Sequence, residues 1–144
     1  MNDLEIRIKE LGPIPACFCH NDLLSANILY DETSKQVSFI DYEYGGYNYR
    51  GFDIANHFNE WAGFECEWSH LPTERRQKEW IFEYLKAFYN HIRVDDEVEI
   101  YVSVDDVNRV YREVARFMLA SHFYWGLWAL VRSLSIVNVD WIWI

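Results

Sequence analysis

The 144-residue sequence is poor in cysteine, proline and basic residues. It contains three cysteines, three prolines and 13 Lys and Arg against 23 Asp and Glu, which gives a net charge of −10. Three cysteines cannot all pair within one chain and no spaced disulfide framework is present, so the composition favours a reducing, cytoplasmic compartment. The scattered Lys and Arg form no basic stripe, which argues against a protein that binds nucleic acid through its phosphates.

Long hydrophobic runs are also missing. The longest uncharged run, residues 117–131, includes Ser121 and His122. At fifteen residues it is shorter than the ~20 apolar residues that a membrane span needs. The first residues show no basic stretch followed by an apolar one, so no signal segment is expected. The apolar content of 51% is instead typical of a single domain with a packed core.

Two short strands joined by a tight turn are predicted near the start of the chain. The strands run from Asn27 to Tyr30 and from Val37 to Ile40, and the polar turn Asp31–Lys35 lies between them. A further strand is predicted over Cys17–Cys19. Its thiols are interpreted as packed side chains, because no second ligand pair follows at zinc spacing.

Polar side chains at the ends of this hairpin match the parts that phosphoryl transfer needs. Asp22 and Asn27 lie five residues apart in HNDLLSAN, and Asp41 follows fourteen residues later at the end of the return strand. In protein kinases an Asp accepts the proton of the substrate hydroxyl, while an Asn five residues on and an Asp after the next strand hold magnesium. The pattern predicts these roles for Asp22, Asn27 and Asp41. His20 is interpreted as a structural residue that holds the loop.

The segment after Asp41 carries a more specific resemblance. FIDYEYGGYNYRGFDIANHFNEW resembles the choline/ethanolamine kinase family, whose signature runs from the metal-binding Asp through E-Y, Y-N and D-I to N-H-F and an acidic residue. Residues 17 to about 131 are similar to the C-terminal lobe of that family, and HNDLL followed by HFNEWAG is more similar to the ethanolamine kinases. The resemblance implies Asp22 as the catalytic base and Asn27 and Asp41 as magnesium ligands.

An amino-alcohol pocket is also implied by the resemblance. Glu60 would bind the amine beside Trp125 and Trp128, whose ring faces attract an ammonium group by ~0.5–2 kcal/mol each. Without the resemblance, the two indoles would be interpreted as ordinary core. Tyr44 is a further candidate for the pocket. Glu43 is a candidate for a position near a metal or the amine, with a surface salt bridge as the equal alternative.

The fold implied by the resemblance is the C-terminal lobe of a protein-kinase-like fold: α+β, mostly helical, with a small β-hairpin at the active site. The implied reaction is phosphorylation of ethanolamine to phosphoethanolamine, in phosphatidylethanolamine biosynthesis, with ATP as co-substrate and Mg²⁺. Choline kinase is the alternative within the family. An aminoglycoside-type phosphotransferase shares the Asp22, Asn27 and Asp41 pattern, but its polycationic substrate would not need the paired indoles.

The parts of a kinase that hold the nucleotide are not found in the sequence. The nineteen residues before His20 contain no Gly-rich loop, and Lys9 lies in a predicted helix instead of a strand. Residues 1–144 are therefore expected to form the C-terminal lobe alone, with the nucleotide lobe absent and the C-terminus truncated. The alternative of another class is an inactive fragment that acts as a binding protein, as a homodimer or with a full-length kinase. This alternative predicts an exposed apolar face beside the hairpin.

Four helices are predicted around the hairpin. Their start signals are Asn2 or Asp3, Asp53, Pro72 with Thr73, and a Ser103–Asp106 capping box. Trp61 is placed on the core face of the second helix, and Gly126 is expected to let another backbone approach the fourth. The Gly-rich segment between Asp41 and the second helix is predicted to be an irregular loop. The apolar end, Trp141–Ile144, is expected to be adhesive where it is exposed.

Overall fold

A computed structural model of the protein describes residues 2–93 and 99–137. Within these ranges the chain forms the mostly helical α+β lobe that the sequence predicts, and no helix in them is long and apolar enough to cross a membrane. The predicted adhesive end, Trp141–Ile144, lies outside the described residues. The elements are α1 (Asn2–Lys9), β1 (Ala16–Cys19), β2 (Ile28–Asp31), β3 (Gln36–Phe39), β4 (Gly46–Tyr49), α2 (Arg50–Asn59), α3 (Glu74–Ile92) and α4 (Val104–Val137).

The strands form two small antiparallel pairs. β2 pairs with β3, from Ile28 opposite Phe39 to Asp31 opposite Gln36, which confirms the predicted hairpin. Asp31 closes the turn, because its Oδ1 accepts the backbone N–H groups of Thr33 and Ser34. β1 pairs with β4, where an irregular loop was predicted, and that prediction is wrong. Pairing with a strand about thirty residues earlier leaves no signal in the local Gly and Tyr composition.

Three helices enclose the core. α2, α3 and α4 contribute its fully buried side chains, and Ile8 of α1 and Leu11, which follows α1, pack against this core. Trp61 is 37% exposed, so its predicted place in the core is wrong. The chain leaves α2 at Asn59 and passes through a 3-10 turn that ends at Gly63, with φ +64. The fully buried core side chains of the three helices are Ala55, Phe58, Ile81, Leu85, Val110 and Val114.

The helix start signals at α3 and α4 are confirmed. Thr73 is the N-cap of α3, and its hydroxyl accepts the N–H of Arg76. Before α4, the Ser103 hydroxyl accepts the N–H of Asp106, while the Asp106 carboxylate accepts the N–H of Ser103. These reciprocal bonds satisfy donors that the start of a helix leaves unpaired.

α2 and α4 cross closely at Gly51. A Cβ built there would lie 2.8 Å from both Glu113 Cγ and Phe117 Cδ2, distances that side chains do not tolerate. At Gly126 no atom of the described residues lies within 4 Å of such a Cβ, so the prediction of a close approach there is wrong. The glycine that the helix crossing needs is Gly51.

These two glycines make a matched pair of substitutions. We expect Gly51→Ala to lower the free energy of unfolding by about 1–3 kcal/mol, because the added methyl group overpacks the crossing. Gly126→Ala should raise it by up to about 1 kcal/mol, since alanine is the better helix former and the site is open. Urea denaturation followed by circular dichroism measures both changes. A neutral Gly51→Ala would show that the crossing has room.

Candidate active site

The loop of residues 20–24, which follows β1, is held in place by α2. The Asp53 carboxylate accepts the backbone N–H of His20 at 2.9 Å and that of Asn21 at 2.7 Å. Asn21 has φ +65, a conformation that is uncommon outside glycine. Asp53 lies at the fourth position of α2, in its first turn, so the prediction that it opens the helix is wrong, because α2 begins at Arg50. Its carboxylate serves the 20–24 loop instead.

A buried amide joins the 20–24 loop to α4. Asn56 is fully buried, and its Nδ2 donates to the backbone oxygen of Asn21 at 3.2 Å. Its Oδ1 accepts from the Ser121 hydroxyl at 2.8 Å and from the Trp125 indole N–H at 2.7 Å. The position of the Trp125 ring is thereby tied to the loop that carries Asp22.

His20 connects the 20–24 loop to the end of β3. Its Nδ1 accepts the N–H of Asp22 at 3.3 Å, so the proton is on Nε2, which donates to the Ile40 carbonyl at 2.9 Å. The ring is buried and packs against Tyr42, with the ring centroids 4.7 Å apart. These contacts fix the position of Asp22 relative to the strand that leads to Asp41.

Asn27 and Asp41 lie beside Asp22. The Nδ2 of Asn27 donates to the Asp22 backbone oxygen at 2.8 Å and to its carboxylate at 3.3 Å. The backbone carbonyl of Asn27 accepts the N–H of Ile40 at 3.1 Å. This bond places Asp41, the next residue, at the same end of the hairpin. Asp41 has φ +62 and an exposed side chain, so its carboxylate stands at a sharp bend after β3.

These donors fit a magnesium ion. Because the side-chain nitrogen of Asn27 donates to Asp22, its side-chain oxygen is the atom available to bind a metal, and Asp41 offers a carboxylate. Magnesium prefers such oxygen ligands, and in phosphoryl transfer it is commonly held by one or two carboxylates together with substrate phosphates. The described residues contain no cluster of three or more His, Cys, Asp or Glu that could hold a metal alone.

A cavity of about 540 Å³ opens next to Asp22. It brings together six of the nine site residues predicted from the sequence: Asp22, Glu43, Tyr44, Glu60, Trp125 and Trp128. Asn27, Asp41 and His20 do not line it, but each contacts Asp22 or leads to the adjoining bend. The strand does not continue from Asp41 to Glu43, so Glu43 reaches the cavity from the turn that follows β3.

The electrostatics of this cavity favour a cation. Burial raises the pKa of Glu60, and the nearby Asp22 charge raises it further. Burial also raises the pKa of Asp22, with contributions from Asp41 and Glu43, while His20 and the Asn27 hydrogen bond oppose the shift. Carboxylates that destabilise one another's charge are stabilised by a cation placed between them.

Aromatic rings form part of the cavity lining. Trp125 and Trp128 meet edge to face with ring centroids 5.6 Å apart, and Tyr44 meets Trp125 edge to face at 5.1 Å. The Trp128 ring already carries a cation, because the Arg132 guanidinium lies 5.2 Å from its centroid. The indole N–H of Trp125 is bonded to Asn56, which leaves its ring to contact a ligand.

His57 also supports the 20–24 loop, and its burial should make the stability of the fold sensitive to acid. Its Nδ1 donates to the Leu23 carbonyl at 2.9 Å, while its Nε2 accepts the Trp61 indole N–H at 3.4 Å, so the ring is neutral. Burial holds the pKa of His57 below its ordinary value of 6.5, against weaker contributions from the Leu23 bond and Asp53. Because the folded pKa is lowered, the stabilisation is present above pH 6.5 and is lost as pH falls through the folded pKa.

We therefore expect the free energy of unfolding to fall more between pH 7.5 and 5.5 in the unsubstituted chain than in His57→Asn. The asparagine amide can reproduce the Nδ1 donor to Leu23 but cannot be protonated in this range. Urea denaturation at each pH measures the difference. An equal loss in both proteins would assign the acid sensitivity to other groups.

Residues that the sequence analysis missed complete the site. Asp53, Asn56 and His57, together with Glu60, follow the i, i+3, i+4, i+7 spacing of one helix face, and this polar stripe was the available signal. A further part of the cavity lining comes from the segment after α2 and from α4, and no sequence pattern marks these residues. Its members are Phe64, Cys66, Trp68 and His122.

Comparison with known proteins shows which family the sequence resembles. Residues 3–142 match the family model described as choline/ethanolamine kinase. The chain is 47% identical to ethanolamine kinase 2 of Rattus norvegicus over 128 residues, covering 88% of this chain and 31% of that protein. It is 42% identical to probable ethanolamine kinase A of Dictyostelium discoideum over 132 residues, covering 92% and 35%. It thus spans about a third of the length of these curated relatives.

Solved structures show the same likeness. The ethanolamine kinase of Plasmodium vivax superposes with a TM-score of 0.78 at 36% identity, covering 98% of this chain and 35% of that one. The choline kinase of Cryptosporidium parvum gives a TM-score of 0.66 at 28% identity, covering 89% and 36%.

Proposed function

Because this chain belongs to the choline/ethanolamine kinase family, we propose that it contributes the acceptor and metal side of an ATP-dependent phosphorylation of ethanolamine. The observation that carries the proposal is the cavity that joins Asp22 to a wall of carboxylates and indoles. A small amino alcohol has a hydroxyl at one end and an ammonium group at the other. The lining of the cavity includes both a carboxylate that can accept a proton and groups that attract a cation.

Asp22 acts on the hydroxyl end of the substrate. Its carboxylate is fixed by the His20 and Asn27 contacts and accepts the hydroxyl proton as the oxygen attacks the γ-phosphoryl group of ATP. Asn27 and Asp41 would hold Mg²⁺, which neutralises charge on the transferring phosphoryl group when it is bound. The network around Asp53 and Asn56 keeps these groups in register, which phosphoryl transfer needs because it depends on positioning.

The ammonium end lies against Glu60, Trp125, Trp128 and Tyr44. Glu60 provides the opposite charge, and the rings provide faces that attract a cation. A primary ammonium needs hydrogen-bond acceptors, whereas a trimethylammonium group needs a fuller aromatic cage. Three carboxylates, those of Asp22, Glu43 and Glu60, line this cavity and supply such acceptors, so ethanolamine is favoured over choline. The relatives named ethanolamine kinases support the same choice.

The test is ATP turnover in the presence of Mg²⁺, with ethanolamine and with choline as acceptors. We expect ethanolamine-dependent release of ADP, with a higher kcat/KM for ethanolamine than for choline. Calorimetric titration of each amine gives a measurement that does not depend on nucleotide. A preference for choline would replace the substrate assignment. A folded chain that binds and phosphorylates neither amine would overturn the proposed function of this chain.

One observation favours a second candidate, a non-catalytic binding protein that pairs with a copy of itself or with a longer kinase. The β2–β3 hairpin and the β1–β4 pair both carry exposed apolar side chains, and that alternative predicts an exposed apolar face beside the hairpin. Size-exclusion chromatography with light scattering, run beside the turnover assay, separates the two candidates. The exposed side chains are Phe18, Leu29, Tyr30, Val37, Phe39 and Tyr47.

We place either activity in the reducing cytosol, since Cys17, Cys19 and Cys66 are all free thiols.

A further inference from the structure

Asn59, the last residue of α2, lines the cavity beside Glu60. Its side chain is more than nine-tenths buried, with 7% exposed. Its Nδ2 donates to the Met118 carbonyl of α4 at 3.0 Å, which shows which amide atom is the nitrogen and which the oxygen, because a carbonyl can only accept. Its Oδ1 is enclosed and has no hydrogen-bond partner among the described residues.

An enclosed oxygen without a partner is uncommon in folded proteins, where most buried polar atoms are hydrogen-bonded. Gln77 Oε1 is the other such side-chain atom in the described part of the chain, and Gln77 is not part of this cavity's lining. The position of Asn59 is therefore distinctive. It combines an unused acceptor with a cavity wall that already favours cations.

Resting on the proposed function, we infer that Asn59 determines which amine the cavity accepts. Its Oδ1 takes one N–H of the substrate's primary ammonium group, while the neighbouring Glu60 carboxylate takes another. The Asn59 oxygen is enclosed, so it reaches the ligand by rotation of the amide about the Cβ–Cγ bond, a torsion that is broad in asparagine. Binding of ethanolamine thus satisfies an acceptor that the empty cavity leaves unpaired.

The same oxygen disfavours choline. An ethanolammonium ion has three N–H donors, and each N-methyl group removes one of them. A trimethylammonium ion has none, so its methyl groups would cover the Asn59 oxygen without a bond. A site built to hydrogen-bond its substrate rejects an analogue that lacks the donor, because the polar group is then left unpaired.

The experiment measures dissociation constants by calorimetry for ethanolamine, N-methylethanolamine, N,N-dimethylethanolamine and choline. In the unsubstituted chain we expect affinity to fall along this series. Asn59→Ala should weaken ethanolamine binding by about tenfold to a hundredfold and leave choline binding unchanged, so the series flattens. Asn59→Asp, which keeps an oxygen and loses the donor to Met118, should retain the preference for ethanolamine. Gln77→Ala is the matched control, and it should leave the series unaltered.

The outcomes separate this inference from the proposed function. If Asn59→Ala weakens ethanolamine and choline equally, the residue acts only through its Met118 bond and the inference fails, although the proposed function stands. If Asn59→Asp loses the preference as fully as Asn59→Ala, the acceptor is not what selects the amine. If the unsubstituted chain binds neither amine and shows no amine-dependent turnover, the proposed function fails and the inference fails with it.

Discussion

Glu113→Ala should lower the free energy of unfolding by about 3–5 kcal/mol, because it leaves the buried Arg50 guanidinium without its counter-ion. The two side chains are 7% and 6% exposed, and Arg50 Nη2 lies 3.2 Å from Glu113 Oε2. A second contact joins Arg50 Nε to Glu113 Oε1 at 3.4 Å. The pair lies where α2 crosses α4, next to Gly51, so its loss acts on the helices that build the site. Urea denaturation followed by circular dichroism measures the change.

A double substitution tests whether the effect comes from the unpaired charge. Replacing both residues with apolar side chains of similar volume, as in Arg50→Met with Glu113→Leu, should restore most of the lost stability. Buried ion pairs are often exchanged for apolar residues at little cost, whereas removal of one partner is strongly destabilising. If Glu113→Ala changes stability by less than about 1 kcal/mol, the pair behaves like the exposed ion pairs of a surface.

Asp22→Asn should lower kcat/KM for ethanolamine by about 10²–10⁴-fold, the range over which a positioned general base contributes to catalysis. The amide is nearly isosteric with the carboxylate, so the loop and the cavity should keep their shape. It cannot accept the hydroxyl proton. Turnover of ATP with saturating Mg²⁺ measures the loss, and calorimetry should show ethanolamine still bound.

Glu43→Gln is the matched control for this prediction. It removes a negative charge from the same cavity. The hydrogen bonds from Asn27 and to the His20 ring are made by Asp22. We expect a far smaller effect than at Asp22. Equal losses in the two variants would mean that the cavity's negative charge matters and that no single base does.

Local patterns predicted the parts of the fold that local forces decide. The β2–β3 hairpin was predicted from two short apolar segments around a polar turn, and the start of α4 from the Ser103–Asp106 box. Each of these two features depends on residues that lie close together in the sequence. The prediction of a loop at β4 was wrong for the opposite reason, because its partner strand β1 lies far away along the chain.

The candidate site divides in the same way. Residues carried by a motif, such as Asp22 and Glu60, lie at the cavity as expected. The polar stripe of α2 includes Asp53 but does not identify its partners, because they are the N–H groups of a distant loop and a helical Asp is usually a cap. The same holds for Asn59, whose significance comes from an oxygen left unpaired in three dimensions.

The Asn56 amide has a consequence for the order of folding events. It bonds Trp125, which lies 69 residues away, and Arg50 meets Glu113 across 63 residues. Contacts that close such long loops are slow to form, because the entropy of closure is lost before the contact stabilises the chain. We therefore do not expect the loop that carries Asp22, or the cavity lining formed by Trp125 and Trp128, to reach its final structure early in folding. We expect refolding kinetics to show the cavity, reported by amine binding, appearing in the same phase as the burial of the α2–α4 core.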